Sequence, residues 1–250
     1  MNFRSKIRII LISVLCAAGA AAQAYGQGVF FDVQPGAWYA EDVDTAYQMR
    51  LMVGTSASRF SPDETLTVAE AVTLSSRIAA AYRGETIGEG EGGVWYEPYV
   101  RYASDTGILA KDMFDDYTRP VTRIETAVLL AKALPSAALP AVNAVAGIPD
   151  VTADMPYAQE LLTLYRAGVM MGEDEYGNFR PFDSITRSEI ASSICRAALP
   201  DRRLRKDLAV HSGDDAYDLI LTSGFTGAKE GIASGWQLDN RGGVPRRTAL

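Results

Sequence analysis

Between residues 40 and 200, apolar positions fall three or four residues apart in six short stretches separated by polar and glycine-containing loops. Val43, Ala46, Tyr47 and Leu51 form the first stripe; Ala71, Leu74, Ile78 and Ala81 form the second. Tyr102 and Ala103 lead into Gly107-Ile108-Leu109, and Ala127, Leu130 and Leu134 follow. Leu161, Leu164 and Tyr165 then precede Ile190, Ile194 and Ala198. This spacing lines apolar side chains along one face of an α-helix, and it predicts six amphipathic helices in pairs.

Every second helix opens on the same quartet, Thr-x-x-Glu: Thr67 with Glu70, Thr122 with Glu125, and Thr186 with Glu189. The Thr hydroxyl can accept from the backbone N–H three residues on, while the Glu reaches back to the Thr N–H. Recurrence at intervals of about 55–65 residues means that the fold is built from copies of one unit. Before the first quartet come Phe31-Asp32-Val33, Trp38-Tyr39, a glycine (Gly54) in the place of a helix C-cap, and the Phe60-Ser61-Pro62-Asp63 loop. Before the third come Ile148-Pro149-Asp150-Val151, Tyr157, Gly168 to Gly172, and Phe179-Arg180-Pro181-Phe182-Asp183. The middle copy keeps Trp95-Tyr96 but lacks the opening Asp-Val. The expected organisation is all-α, with repeats at 29–82, 93–134 (degenerate at its start) and 147–200. Gly88 to Gly93 and Pro135 to Ala146 read as linkers.

The two ends differ from this body. Arg4, Lys6 and Arg8 precede an almost wholly apolar run from Ile9 to Ala22, closed by Ala22-Gln23-Ala24. That is the pattern of a secretory signal peptide over residues 1–24, too short in its apolar part to span a bilayer. Removing it leaves Cys195 as the one cysteine, on an apolar helical stripe, and no disulfide within a monomer. The formal net charge of −7 becomes more negative without the leader. Such a chain lacks the basic stripe that nucleic acid requires. Residues 201–250 begin with Arg202, Arg203, Arg205 and Lys206, then carry short strand-like runs at Tyr217 to Leu221 and Gly231 to Leu238. This tail reads as the truncated start of a β-sandwich module, or as an extension that is disordered or completed by a partner.

The order Phe-x-Asp-Val, Trp-Tyr, helix, Gly-x-x-x-Gly, Phe-x-Pro-x-x-x-(Ile/Leu)-Thr-Arg-x-Glu resembles the S-layer homology (SLH) domain, and three tandem copies are that family's usual complement. The resemblance implies a pseudo-threefold, three-pronged helical assembly with first helices bundled centrally and ligand grooves between neighbouring units. It implies a non-catalytic cell-surface anchoring module, secreted and associated with the bacterial cell wall or S-layer. The implied ligand is a secondary cell-wall polysaccharide linked to peptidoglycan, often pyruvylated, with other surface-layer proteins as further partners and no cofactor. The implied ligand-binding residues are Arg123, Arg187, Trp38, Trp95, Asp32 and Asp150.

Their chemistry suits that use. An Arg at the first position of a helix can offer a planar fork to a carboxylate beside free backbone N–H groups. Trp offers a sugar ring a flat apolar face, and Asp accepts from hydroxyls. Each also has a plainer reading: an interhelical wedge for either Trp, a surface ion pair for Arg, a turn cap for Asp. Carry-over is uneven. Val68 replaces Arg in the first copy, Pro156 replaces Trp in the third, and the second has no Asp equivalent. No catalytic residues and no metal site are predicted: His211 has no partner, and Asp174-Glu175-Tyr176-Gly177-Asn178 lacks the carboxylate spacing of a calcium loop. Two other functions compete with wall anchoring: a secreted helical adaptor for another surface protein, and the anchoring fragment of a truncated carbohydrate-active surface protein.

Overall fold

The computed structural model describes residues 28–88, 93–172, 174 and 176–206, together with the backbone of 236–238 and 245–247. The predicted leader and most of the tail lie outside the described residues. Among the described residues six helices alternate short and long: α1 Ala40–Gln48, α2 Val68–Arg83, α3 Glu97–Asp105, α4 Arg123–Ala133, α5 Ala158–Arg166 and α6 Arg187–Ala198. Single 3-10 turns occupy Ser136–Ala138 and Pro200–Arg202. In the tail, β1 (Trp236–Leu238) pairs antiparallel with β2 (Pro245–Arg247), Trp236 opposite Arg247.

All three capping boxes form. Thr67, Thr122 and Thr186 accept from the N–H groups of Glu70, Glu125 and Glu189, and each Glu accepts the N–H of its Thr. A helix start leaves four N–H groups without intrahelical partners, and the box serves only part of that need. The next two donors go to another copy. Val68 and Ala69 donate to the carbonyls of Arg119 (3.0 Å) and Tyr117 (2.9 Å), and Arg123 and Ile124 to Asp183 and Pro181 (both 2.9 Å). Arg187 and Ser188 donate to Glu64 (2.8 Å) and Pro62 (3.0 Å). The loop residues just before the boxes close the same circle: Val121 donates to Leu66, Leu66 to Ile185, and Ile185 to Val121, at 2.9, 3.1 and 3.4 Å. These three side chains are fully buried. Helix initiation and the meeting of the three helix pairs are therefore one hydrogen-bond system.

The helices follow the same rotation. α2 packs on α3, α4 on α5 and α6 on α1, with α2 also meeting α4. The second helices are the buried ones; α2 alone buries eleven residues, whereas α1 buries Val43 and Ala46 and α3 only Ala103. The expected central bundle of first helices is corrected here. The first helices are short and lie outside, each on the second helix of a neighbouring copy. Arg202, in the 3-10 turn that follows α6, binds Asp42 at 2.8 Å and also Glu41, tying this turn to α1.

Two local readings change with the structure. Each first helix ends on a left-handed residue, at Arg50 (φ 57°), Gly107 (φ 75°) and Gly168 (φ 67°), so Gly54 is not the cap. A Cβ on Gly54 would stand 2.4 Å from the Arg59 carbonyl oxygen and 2.5 Å from the Phe30 ring, which makes Gly54 a close-approach glycine. Pro135 to Ala146 is no loose linker either. Asn143 is buried, donates to the Leu204 carbonyl (2.9 Å) and accepts from Lys206 N (3.0 Å), while Arg203 donates to the Ala138 carbonyl (2.6 Å).

Candidate functional site: a cleft joining three helix pairs

At position one of α4 and α6, Arg123 and Arg187 reach the neighbouring helix pair with the side chain as well as with the backbone N–H. The Arg123 Nε donates to the Phe179 carbonyl (2.8 Å) and Nη2 to that of Met171 (3.4 Å), Nη1 lies 3.4 Å from Glu189, and the guanidinium sits 4.8 Å from the Phe179 ring centre. Arg187 repeats the arrangement one junction on, with Phe60 O (2.7 Å), Val53 O (2.6 Å), Glu70 (3.3 Å) and the Phe60 ring (4.7 Å). Both arginines are buried. The fork that sequence reasoning offered to a ligand carboxylate is thus engaged by carbonyls and a glutamate of the next copy. Burial pulls the Arg187 pKa down, against the raising fields of Glu70, Glu64 and Asp32.

At the third junction Val68 is buried in place of an arginine. There the box glutamate, Glu125, is served by Arg119 from its own loop at 2.6 and 3.1 Å. Every box glutamate therefore has a second role as counter-ion to an arginine, a role hidden from sequence reasoning because two of the three partners come from another copy.

Asp32 and Asp150 hold the loops that receive these arginines. Asp32 accepts from Phe60 N and Ser61 N, both at 2.8 Å; Asp150 accepts from Phe179 N (2.7 Å) and Arg180 N (2.6 Å). The clamped residues Ser61 and Arg180 are left-handed, at φ 56° and 55°, so each carboxylate offsets a strained turn. Burial alone would raise the Asp32 pKa, but the two amide donors and Arg59 hold it below the usual carboxylate range. Trp38 and Trp95 stand out from the surface, 64% and 59% exposed, each edge-on to the tyrosine that follows it. Neither is an interhelical wedge.

A cleft of about 320 Å³ brings three helix pairs together: it is lined by Trp38 just before α1, Arg123 at the start of α4, and Met171, Glu189, Ser192 and Arg196 from the α5–α6 pair. Of the expected site residues, Trp38 and Arg123 meet here; Arg187 lies at the next junction, and Trp95, Asp32 and Asp150 do not line this cleft. Arg196 was missed by sequence reasoning. The available signal was a cation ten residues after each box threonine, at Arg77, Lys132 and Arg196.

Cys195 is buried, and desolvation pushes its thiol up to about 12. The Asp174 carboxylate is occupied by Gly177 N, Asn178 N and the Asn178 amide, at 2.7–2.9 Å, which closes a local turn. Among the described residues no group of three or more His, Cys, Asp or Glu could hold a metal, and no helix is long and apolar enough to cross a membrane.

The S-layer homology domain family model matches two stretches of the chain, residues 29–72 and 147–191. These fall within the first and third expected copies; the middle copy lies outside both matches. Domains of that family are, in general, non-catalytic cell-surface anchoring modules that bind cell-wall polymers. No curated protein matches the chain.

Proposed function

We propose that the chain is a secreted, non-catalytic anchoring module that holds a secondary cell-wall polysaccharide, pyruvylated in the form the family resemblance implies, in clefts between its copies. Three repeats, at 29–82, 93–134 and 147–200, form a pseudo-threefold, three-pronged assembly in this reading. Its support is the closed circle of loop and helix-start hydrogen bonds, in which the unmatched middle copy takes the same part as the other two. One observation carries the binding site: Trp38 and Arg123, from different copies, border one cleft. An exposed indole can lie flat on a sugar ring, while Ser192, Glu189 and Arg196 offer polar groups around it.

Rotating that cleft through the repeat explains the uneven carry-over. The next junction would use Trp95, Arg187, Glu70 and Thr73. The last would use Pro156, Val68, Glu125 and Val128, so both substituted motif positions fall in one place. The buried hydroxyls follow the same rule: Ser192 and Thr73 each carry an Oγ without a hydrogen-bond partner, where the third junction has a valine. The reading is therefore two competent clefts and one blank.

The test is co-sedimentation of the full chain with wall sacculi of the source bacterium, intact and stripped of secondary polysaccharide. Retention by intact walls alone is expected. Equal retention by stripped walls would move the ligand to peptidoglycan itself and remove the reading.

A further inference from the structure

Residues 28–66 form an arm that folds on itself and docks on the last helix. Inside the arm, the Phe30 ring meets those of Tyr47 (5.2 Å) and Phe60 (5.5 Å). Phe31 N donates to the Ser58 carbonyl (3.0 Å), and Asp32 clamps Phe60 and Ser61 as described. Most of the outward hydrogen bonds described for the arm run to one place. Arg187 donates to the Phe60 and Val53 carbonyls with its side chain and to Glu64 with its N–H. Ser188 reaches the Pro62 carbonyl with both its N–H (3.0 Å) and its hydroxyl (2.9 Å). The Cys195 thiol donates to the Asp42 carbonyl at 3.2 Å, and Arg202 binds Asp42 and Glu41. Toward α2, the helix that follows it in sequence, the arm offers the Leu51 carbonyl to Arg77 at a long 3.4 Å.

Helix packing is offset in the same way. α2 and α4 pack on the helices that directly follow them, whereas α1 packs on α6, across the span from residue 48 to residue 187. The first and last helices thus complete each other, and nothing in their contacts requires them to belong to one chain. The connection from the arm to α2 is exposed at Asp63, Glu64 and Thr65. It is bent by a turn in which Glu64 N donates to the Ser61 carbonyl (3.1 Å). Straightened, three residues span about 10 Å.

We propose that the face of α6, with the turn after it, is an exchange interface for a second copy of this chain. The arm of each copy, residues 28–62, docks on α6 of the other, and the two chains cross at a hinge of residues 63–65. Exchange keeps the interior of the arm and its bonds from Ser188, Cys195, Arg202 and the Arg187 side chain. It releases the Ser61–Glu64 turn and the bond from Arg187 N to Glu64. Docking within one chain has the higher effective concentration, so the closed monomer wins in dilute solution and the exchanged dimer gains as concentration rises. Swapping an identical element is a low-cost route to dimers, and repeat proteins are prone to it. The product couples two modules through contacts that each already makes, whatever the cleft binds.

Full chain, part of it isotope-labelled, would be unfolded in urea and refolded at low and high concentration. Native mass spectrometry should show monomer at low concentration and dimers at high concentration, mixed-isotope dimers among them. Two charge variants then identify the contact exchanged. Asp42→Arg and Arg202→Asp each set like charges across the clasp in a closed monomer, whereas an exchanged heterodimer of the two restores opposite charges at both clasps. Refolded together, they should form heterodimer in roughly tenfold or greater excess over either homodimer. An independent readout uses the native thiol. In a Cys16→Ser background, Ala46→Cys places a second thiol on α1 beside Cys195, which the Ala46 amide adjoins. Mild oxidation should link the two chains of the purified dimer on a denaturing gel, while the oxidised monomer stays single. Absence of dimer at every refolding concentration would overturn the proposal. So would equal amounts of heterodimer and homodimer, or an oxidised dimer that runs as single chains although its thiols are consumed.

Discussion

Arg187→Ala should unlatch the junction between the last copy and the first. The arginine is 6% exposed and bonds two backbone carbonyls, at 2.7 Å (Phe60) and 2.6 Å (Val53), besides facing Glu70 at 3.3 Å. Hydrogen bonds to a charged donor contribute about 1.5–3 kcal/mol each. Removing one partner of a buried pair costs about 3–5 kcal/mol, because the other is left uncompensated. Glu70 is 32% exposed at its side chain and can recover water, which argues against simply adding every contribution. We expect a loss of about 3–5 kcal/mol, including the packing of the guanidinium on Phe60. At a few degrees per kcal/mol for a body of this size, that lowers Tm by roughly 10 °C. Arg187→Lys should recover only part, since a single ammonium cannot meet three acceptors arranged around a plane. The assay is urea unfolding of the full chain followed by far-ultraviolet circular dichroism, with wild type and both variants compared at one pH. A midpoint within error of wild type for Arg187→Ala would refute the claim that this side chain latches two copies together. The prediction also governs how binding data are read: lost wall retention in an arginine variant counts as ligand loss only if the variant is folded.

Trp38→Ala should leave stability within about 0.5 kcal/mol of wild type, as for an exposed residue, yet reduce retention on walls at least tenfold as a central aromatic contact; normal retention, or a large fall in Tm, would contradict this. Thr122→Ala removes the side-chain half of a capping box and should cost about 1 kcal/mol, seen as a lower urea midpoint; an unchanged midpoint would show that the box contributes nothing. Asp32 and Glu125 both have lowered pKa values in the fold, Asp32 because its amide donors and Arg59 outweigh burial, and Glu125 because Arg119 and the Thr122 groups do. The unfolded chain therefore takes up protons first as pH falls through about 4.5 and 3.8, the ordinary Glu and Asp values. Stability should be level from pH 7 to about pH 5 and drop below that, down through the folded pKa values; a urea midpoint constant to pH 3 would contradict the assignment.

The helices and their starts were legible because their signals are local: a three-to-four spacing and a threonine three residues before a glutamate leave little choice. What the remaining helix-start donors bond to was not legible. Arg123 N meets Asp183 O across sixty residues of chain, and nothing at either position announces the other. The same distance hid the second role of the glutamates, and it made buried Arg123 and Arg187 look like open ligand forks. The tryptophans could be read as wedge or shelf from sequence, and exposure favours the shelf. Val68 and Pro156 look like unrelated departures in two copies; the proposed rotation of the cleft would assign both to one junction. Gly54 was read as a cap from its position after an apolar stripe, whereas the chain turns earlier, at Arg50, and needs a glycine where it passes Phe30 and Arg59. Arg196 was overlooked because a lone cation on a helix usually marks a solvated face; its meaning depends on the cleft that Trp38 completes from another copy.

The most direct test of the central claim watches Trp38 itself. In a Trp95→Phe/Trp236→Phe background it is the sole tryptophan, and titration of the full chain with solubilised secondary wall polymer can be followed by its emission. The account predicts a saturable change in Trp38 fluorescence over the same polymer concentrations that release the protein from sacculi. Undisturbed Trp38 emission while the polymer still competes the protein off the wall would place the binding surface elsewhere.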